Sequence, residues 1–201
     1  MLKEIQGFGD MAEVSYGTSA VSGESVGVEG YYHVECRDKD GNFKWEESFP
    51  NLVNAIGKEL LLDTLLRTSG TYTTVGPFLG LINSSPTFLA ADTMTSHAGW
   101  TEFIAYTVSA SAVRGTAVFG ASSSSGLSPV NITTSLATAI TYTITGAGGT
   151  VAGCFLVTGS GASSTQSNTG GTLYSAGAFA TAKITTVGDT VSVTYSTTAT
   201  S

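Results

Sequence analysis

Gly171-Thr-Leu-Tyr-Ser-Ala-Gly-Ala-Phe-Ala-Thr-Ala-Lys-Ile-Thr-Thr-Val-Gly-Asp-Thr-Val-Ser-Val-Thr-Tyr195 decides the fold class. Two strand-length runs rich in Thr, Val, Ala and aromatic residues flank Gly188-Asp189, a pair suited to a tight turn. The same texture fills the chain from residue 103 onward. It predicts strands near residues 113–119, 132–144, 151–157, 172–184 and 190–197. The breaks fall at 121–126, 146–149, 159–171 and 188–189. Such runs, with no helix between them, indicate a mainly β protein, an antiparallel β-sandwich of jelly-roll-like type. The Ser/Gly/Thr composition of residues 159–171 predicts a mobile loop.

Upstream, residues 77–82 read as a short buried strand. Residues 86–100 read as a loop with a single helical turn at 91–94, and residues 100–106 as another short strand. Residues 30–49 read as a hairpin turning at Asp40-Gly41. Its second arm places Phe43, Trp45, Glu47 and Phe49 on one face. Residues 51–67 carry one amphipathic helix, capped by Asn51 or Asn54. Leu52, Val53, Ile56, Leu60, Leu61, Leu65 and Leu66 recur at helical spacing. Gly57 weakens such a helix by about 1 kcal/mol relative to Ala, so it marks close packing. The stripe must then bury itself against a sheet. Residues 1–28, interrupted by glycines, read as an extended N-terminal arm or a poorly packed terminus. Residues 29–201 form a single sandwich domain.

Charge divides the chain sharply. Of its 23 charged residues only Arg114, Lys183 and Asp189 follow residue 102. Residues 1–102 carry 6 basic and 14 acidic groups, a net of −8, against +1 for the rest. No basic patch is available to track phosphates, which argues against nucleic-acid binding. No apolar run approaches the ~18 residues of a membrane span. No signal peptide is evident, so synthesis in a cytoplasm is expected. Cys36 and Cys154, far apart and in no CxxC pair, are expected as buried free thiols rather than a disulfide.

Candidate chemical sites each meet a plainer reading. Asp38, Asp40 and Asn42 resemble the opening of a calcium loop, but Gly41 comes too early and position twelve is Phe49. A hairpin turn uses the same residues. His33 and His97 lie 64 positions apart, with no hydrolase or zincin motif around either. Glu46 and Glu47 are adjacent and point to opposite faces of a strand, so they make no carboxylate dyad. Asp92 and Glu102 flank Trp100 as in many sugar sites; a loop anchored by a buried Trp is the simpler reading. The glycines at 146–149 lack the Lys and helix of a phosphate cradle. No catalytic, cofactor-binding or metal residues are therefore assigned, and no cofactor is expected.

Residues 30–47 (Gly30-Tyr-Tyr-His-Val-Glu-Cys-Arg-Asp-Lys-Asp-Gly-Asn-Phe-Lys-Trp-Glu-Glu47) and 51–63 (Asn51-Leu-Val-Asn-Ala-Ile-Gly-Lys-Glu-Leu-Leu-Leu-Asp63) resemble a family of small structural proteins of tailed bacteriophages. Phe78-Leu-Gly-Leu-Ile82, Ala91-Asp-Thr-Met-Thr-Ser-His-Ala-Gly-Trp-Thr-Glu102, Gly171-Thr-Leu-Tyr-Ser-Ala-Gly177 and Gly188-Asp-Thr-Val-Ser-Val-Thr-Tyr195 extend the resemblance over roughly residues 30–197. It implies a non-enzymatic virion component, made in the bacterial host cytoplasm, that self-associates as a homo-oligomer. Its partners would be the major capsid protein or other virion proteins. A capsid decoration (cement) protein, with residues 1–28 as an arm to a neighbour, is the first expectation. A collar, tail or fibre component is the alternative, though fibres usually show repeats that are absent here. A carbohydrate-binding sandwich, with Trp100, Tyr106, Tyr142 or Tyr174 as a sugar platform, is a further one.

Overall fold

The computed structural model describes residues 27–66, 75–83, 86–125 and 131–200. The arm expected over residues 1–28 lies almost wholly outside them. Its last two residues, Gly27 and Val28, already belong to the first strand.

In chain order the elements are β1 (Gly27–Arg37), β2 (Phe43–Pro50), β3 (Leu52–Val53), α1 (Ala55–Leu66), β4 (Phe78–Asn83), β5 (Thr101–Phe103) and β6 (Tyr106–Thr107). There follow β7 (Gly115–Thr116), β8 (Ser123–Ser125), β9 (Asn131–Ser135), β10 (Ile140–Ile144), β11 (Gly149–Thr158), β12 (Thr172–Thr185) and β13 (Thr190–Thr200). Among the described residues seven strands make sheet A, in the order β2-β1-β13-β10-β6 with β9 beside β13 and β8 beside β9. Six make sheet B, in the order β3-β12-β11-β4-β5 with β7 beside β4. The two sheets are antiparallel and pack face to face as a β-sandwich. Its first and last strands are neighbours, and the chain crosses repeatedly between sheets, for example at β2–β3, β10–β11 and β12–β13.

Alternation builds the core. Tyr32, Val34 and Cys36 of β1, Ile140, Tyr142 and Ile144 of β10, and Val191, Val193 and Tyr195 of β13 point inward from sheet A. They meet Leu79, Leu81, Cys154, Leu156 and Tyr174 of sheet B. The predicted face of β2 is real but graded: Phe49 is buried, Trp45 and Glu47 are half-buried, and Phe43 is exposed at the strand's start. Sheet B is covered on its other side as well. Ile82, Phe155, Val157, Leu173 and Ala176 form a second core there with Met94, Trp100 and Ala162 from the loops. Gly80 faces Phe155 across the β4–β11 pair, and a Cβ at position 80 would lie 2.4 Å from the Phe155 ring. Two-sided burial explains why β4 and β11 read as continuous apolar runs.

The helix is shorter than expected. Leu52 and Val53 form β3, paired with Ser175 and Ala176, because the chain leaves sheet A at Pro50 and joins sheet B before it coils. Asn54 then starts α1: its carbonyl accepts the Lys58 N–H at 3.1 Å. Its Nδ2 donates to the carbonyls of Leu89 (3.1 Å) and Asp92 (3.2 Å), tying the helix to the 86–100 loop. Gly57 abuts Tyr174, where a Cβ would sit 2.6 Å from the carbonyl oxygen. Leu61 reaches the main core, whereas Leu66, expected on the buried stripe, is exposed together with Leu62.

Other departures are local. Residues 91–94 form turns and a Thr93–Ser96 bridge rather than a helical turn. The single strand expected at 132–144 is two, β9 and β10, which pair with successive stretches of β13 on either side of Leu136. Of the strand expected at 113–119 only Gly115–Thr116 pairs with β4; Val113 and Phe119 make isolated bridges.

Candidate functional site

All three charges of residues 103–201 are spent on partners from the first 102. Arg114 pairs with Glu102, Lys183 with Glu47 and Asp189 with Lys44. The first pair is the deepest. Arg114 Nε donates to Glu102 Oε1 at 2.9 Å and its second terminal nitrogen to Oε2 at 2.7 Å, with the two side chains 1% and 8% exposed. Two further guanidinium hydrogens go to the carbonyls of Ser163 (3.2 Å) and Asn168 (2.7 Å). Glu102 Oε2 also accepts the Ser167 N–H at 2.8 Å. Gln166 Nε2 donates to the Tyr106 carbonyl, and Arg114 N to that of Ser164. Residues 159–171, expected as a mobile loop, are thus pinned to a buried ion pair. The sequence signal was the isolation of Arg114 in an otherwise uncharged stretch.

Asp189 sits in the β12–β13 turn, where it accepts the Thr186 N–H and the Thr186 hydroxyl as well as Lys44. Burial pushes its pKa up, but these bonds outweigh burial and hold the carboxyl below its ordinary value. The same contact raises the Lys44 pKa. Glu47 accepts the Ala180 N–H besides pairing with Lys183, and so closes β2 over β12.

The other candidates occupy structural positions. Asp38 accepts the N–H groups of Asp40 and Asn42, both at 2.9 Å, and the Asn42 amide at 3.0 Å, which is the turn reading. Among the described residues no three His, Cys, Asp or Glu side chains come together as a metal site. His33 bonds Ser48 across the outer face of sheet A at 2.8 Å. His97 stacks on Trp100 with centroids 3.9 Å apart. Trp100 is buried, and its Nε1 donates to Asp92 at 3.3 Å, so it anchors the 86–100 loop. Tyr106, Tyr142 and Tyr174 are buried too. Cys36 and Cys154 are buried free thiols. Burial pushes the Cys36 thiol up to about 11 and raises that of Cys154 further, so neither is a thiolate at neutral pH.

What faces outward on sheet A is a field of hydroxyls. Thr141 and Thr143 of β10 lie beside Ser192 and Thr190 of β13, whose outward row continues through Thr194 and Ser196. Thr141 and Ser192 bond each other at 3.1 Å. Across β13 the same rows continue into His33 and Ser48, or into Glu35 and Glu46. The face therefore grades from uncharged hydroxyls at β10 to carboxylates at β1 and β2. No helix among the described residues is long and apolar enough to cross a membrane. Neither a family model, nor a curated protein, nor a solved structure matches this chain.

Proposed function

We propose that this chain is a non-enzymatic structural protein of a tailed-bacteriophage virion, and specifically a decoration protein that binds the outer head surface as a symmetric homo-oligomer. The observation that carries the reading is the pairing of Arg114, Lys183 and Asp189 with Glu102, Glu47 and Lys44. It leaves the β10–β13 half of sheet A facing outward with Ser and Thr hydroxyls and no unpaired charge. Hydroxyls cost far less than ions to desolvate in a contact and can re-pair across it. A lattice repeats each contact many times, so individually weak contacts suffice. The resemblance of residues 30–197 to phage structural proteins supports the same reading. A collar, tail or fibre component would use the same surface. The carbohydrate-binding reading relied on Trp100, Tyr106, Tyr142 and Tyr174 as a platform; all four are buried and offer no stacking face.

The test is co-sedimentation with purified heads that lack the protein. The wild-type chain should saturate the heads at a fixed stoichiometry. Thr141→Lys and Thr194→Lys, at exposed positions of the hydroxyl face, should fold normally and bind at least about tenfold more weakly, a loss of about 1.4 kcal/mol. Binding unaffected by either lysine would remove this face from the contact, and no binding by the wild type would remove the decoration role.

A further inference from the structure

A cleft of about 220 Å³ lies on the outer side of sheet B, between the 86–100 loop and residues 167–169. Met94, Trp100 and Phe155, all buried, give it an apolar floor. His97, stacked on Trp100, lines it as well. Thr101, Ser167, Asn168 and Thr169 are exposed and form a rim that solvent reaches. The undescribed residues nearest in sequence to either wall are 84 and 85. The chain is fixed on both sides of them, Asn83 pairing with Thr101 and the Thr87 N–H donating to the Gly99 carbonyl.

The cleft keeps hydrogen-bonding capacity that the protein does not use. His97 Nδ1 lies 3.0 Å from the Trp100 carbonyl oxygen, which only accepts, so Nδ1 carries the proton. Nε2 of the neutral ring is then a bare acceptor. Asn168 spends its side-chain oxygen on the Gly170 N–H at 2.8 Å and keeps its amide hydrogens. The hydroxyls of Thr101, Ser167 and Thr169 bond to no described residue. Arg114, 1% exposed, has four of its five N–H groups bonded, to Glu102 and to the carbonyls of Ser163 and Asn168. One Nη1 hydrogen is left over. Water can complete that bond in the free protein, and a ligand oxygen can take the water's place.

Charge and size narrow the ligand. Among the described lining residues Glu102 and Arg114 carry the charge, and they neutralise each other. A ligand with a net charge would lose hydration and gain no counter-ion. A volume of 220 Å³ is below the ~300–1,000 Å³ of sites for drug-sized molecules and suits one small ring. An apolar floor under a rim of unused donors and acceptors matches a pyranose, which has an apolar C–H face and a periphery of hydroxyls. The floor is no open stacking platform, so hydrogen bonds at the rim would supply the selectivity.

We infer that the cleft between the 86–100 loop and residues 167–169 binds a single neutral sugar ring, with His97 Nε2 and the hydroxyls of Ser167 and Thr169 as its polar contacts. The inference does not rest on the virion reading and holds for the isolated protein. The test is saturation-transfer NMR on the full chain. The probes are glucose, galactose, mannose and N-acetylglucosamine, their methyl glycosides, and glucosamine and glucuronic acid as charged counterparts. Ser167→Gly removes one hydroxyl and keeps the positive φ of 60° at that position. His97→Phe keeps a ring on Trp100 and removes the acceptor. Thermal melts of both should match the wild type. At least one neutral sugar should bind saturably, each variant should weaken it at least about fivefold, and Leu62→Ala on the far helix should not. Methyl glycosides binding as well as the free sugar would identify the ligand as the end of a glycan chain. Binding of the free sugar alone would identify it as a monosaccharide. No saturable binding by any neutral sugar would overturn the inference. So would binding undiminished in both variants, or binding of the charged counterparts at least as tight.

Discussion

Arg114 and Glu102 meet through two parallel hydrogen bonds, of 2.9 and 2.7 Å, in the interior beside sheet B. The pair joins the start of β5 to the approach to β7, and its spare bonding capacity holds the 163–168 backbone. Removing one partner leaves the other charge unpaired in a largely buried position. Glu102→Gln or Arg114→Met should therefore cost about 3–5 kcal/mol in urea unfolding. The double replacement Glu102→Leu with Arg114→Met should recover part of that loss, because no ion then remains to be solvated. A single-variant loss below about 1 kcal/mol would show that the pair is not the clasp of this region.

The pair of Lys44 and Asp189 makes stability depend on pH in a defined direction. The folded Asp189 carboxyl titrates below its unfolded value, which is near 4. Its contribution is present above that value and is lost as pH falls through the lower folded one. Lys44 titrates above its unfolded value, near 10.4, so its share is lost only as pH rises through the higher folded one. Asp189→Asn should cost about 1–3 kcal/mol at pH 7 and flatten the acid limb of the stability curve between about pH 5 and 2. An unchanged acid limb would contradict the assignment.

Gly57 faces the Tyr174 backbone at a distance that excludes a methyl group. On an exposed helix Gly→Ala stabilises by about 1 kcal/mol. Here Gly57→Ala should destabilise by about 1–3 kcal/mol, because β12 backbone rather than a flexible side chain must give way. Thermal melts of the two proteins decide the sign.

Leu61 and Leu62 are neighbours in sequence, about 100° apart around α1, the first packed against the core and the second exposed. Leu61→Ala should cost about 1–2 kcal/mol, less than a fully buried leucine because its side chain is only partly covered. Leu62→Ala should stay within about 0.5 kcal/mol. Equal losses at both positions would mean that the helix packs in another orientation.

Much of the sandwich was legible wherever one sheet face is buried and the other is wet. Tyr32, Val34 and Cys36, or Val191, Val193 and Tyr195, alternate with polar residues and can sit only one way round. Legibility failed where tertiary partners override local pattern. Residues 132–144 read as one strand, but Leu136 turns into the core and lets β9 and β10 pair separately with β13. Residues 113–119 read as a strand, yet Arg114 turns toward Glu102 and the 159–171 loop, and little of the run pairs. Residues 159–171 have a linker's composition, and nothing in them reveals that three of their backbone groups, at Ser163, Ser167 and Asn168, bond to a buried ion pair. The one clue lay outside the loop, in three solitary charges whose partners are all in the first half of the chain.

The proposed virion role is tested most directly by counting this protein in purified phage particles, using quantitative mass spectrometry. A decoration protein should be present in a simple, fixed ratio to the major capsid protein, and a far lower number would place it in the collar, tail or fibre. Absence from the particle would contradict a virion role altogether.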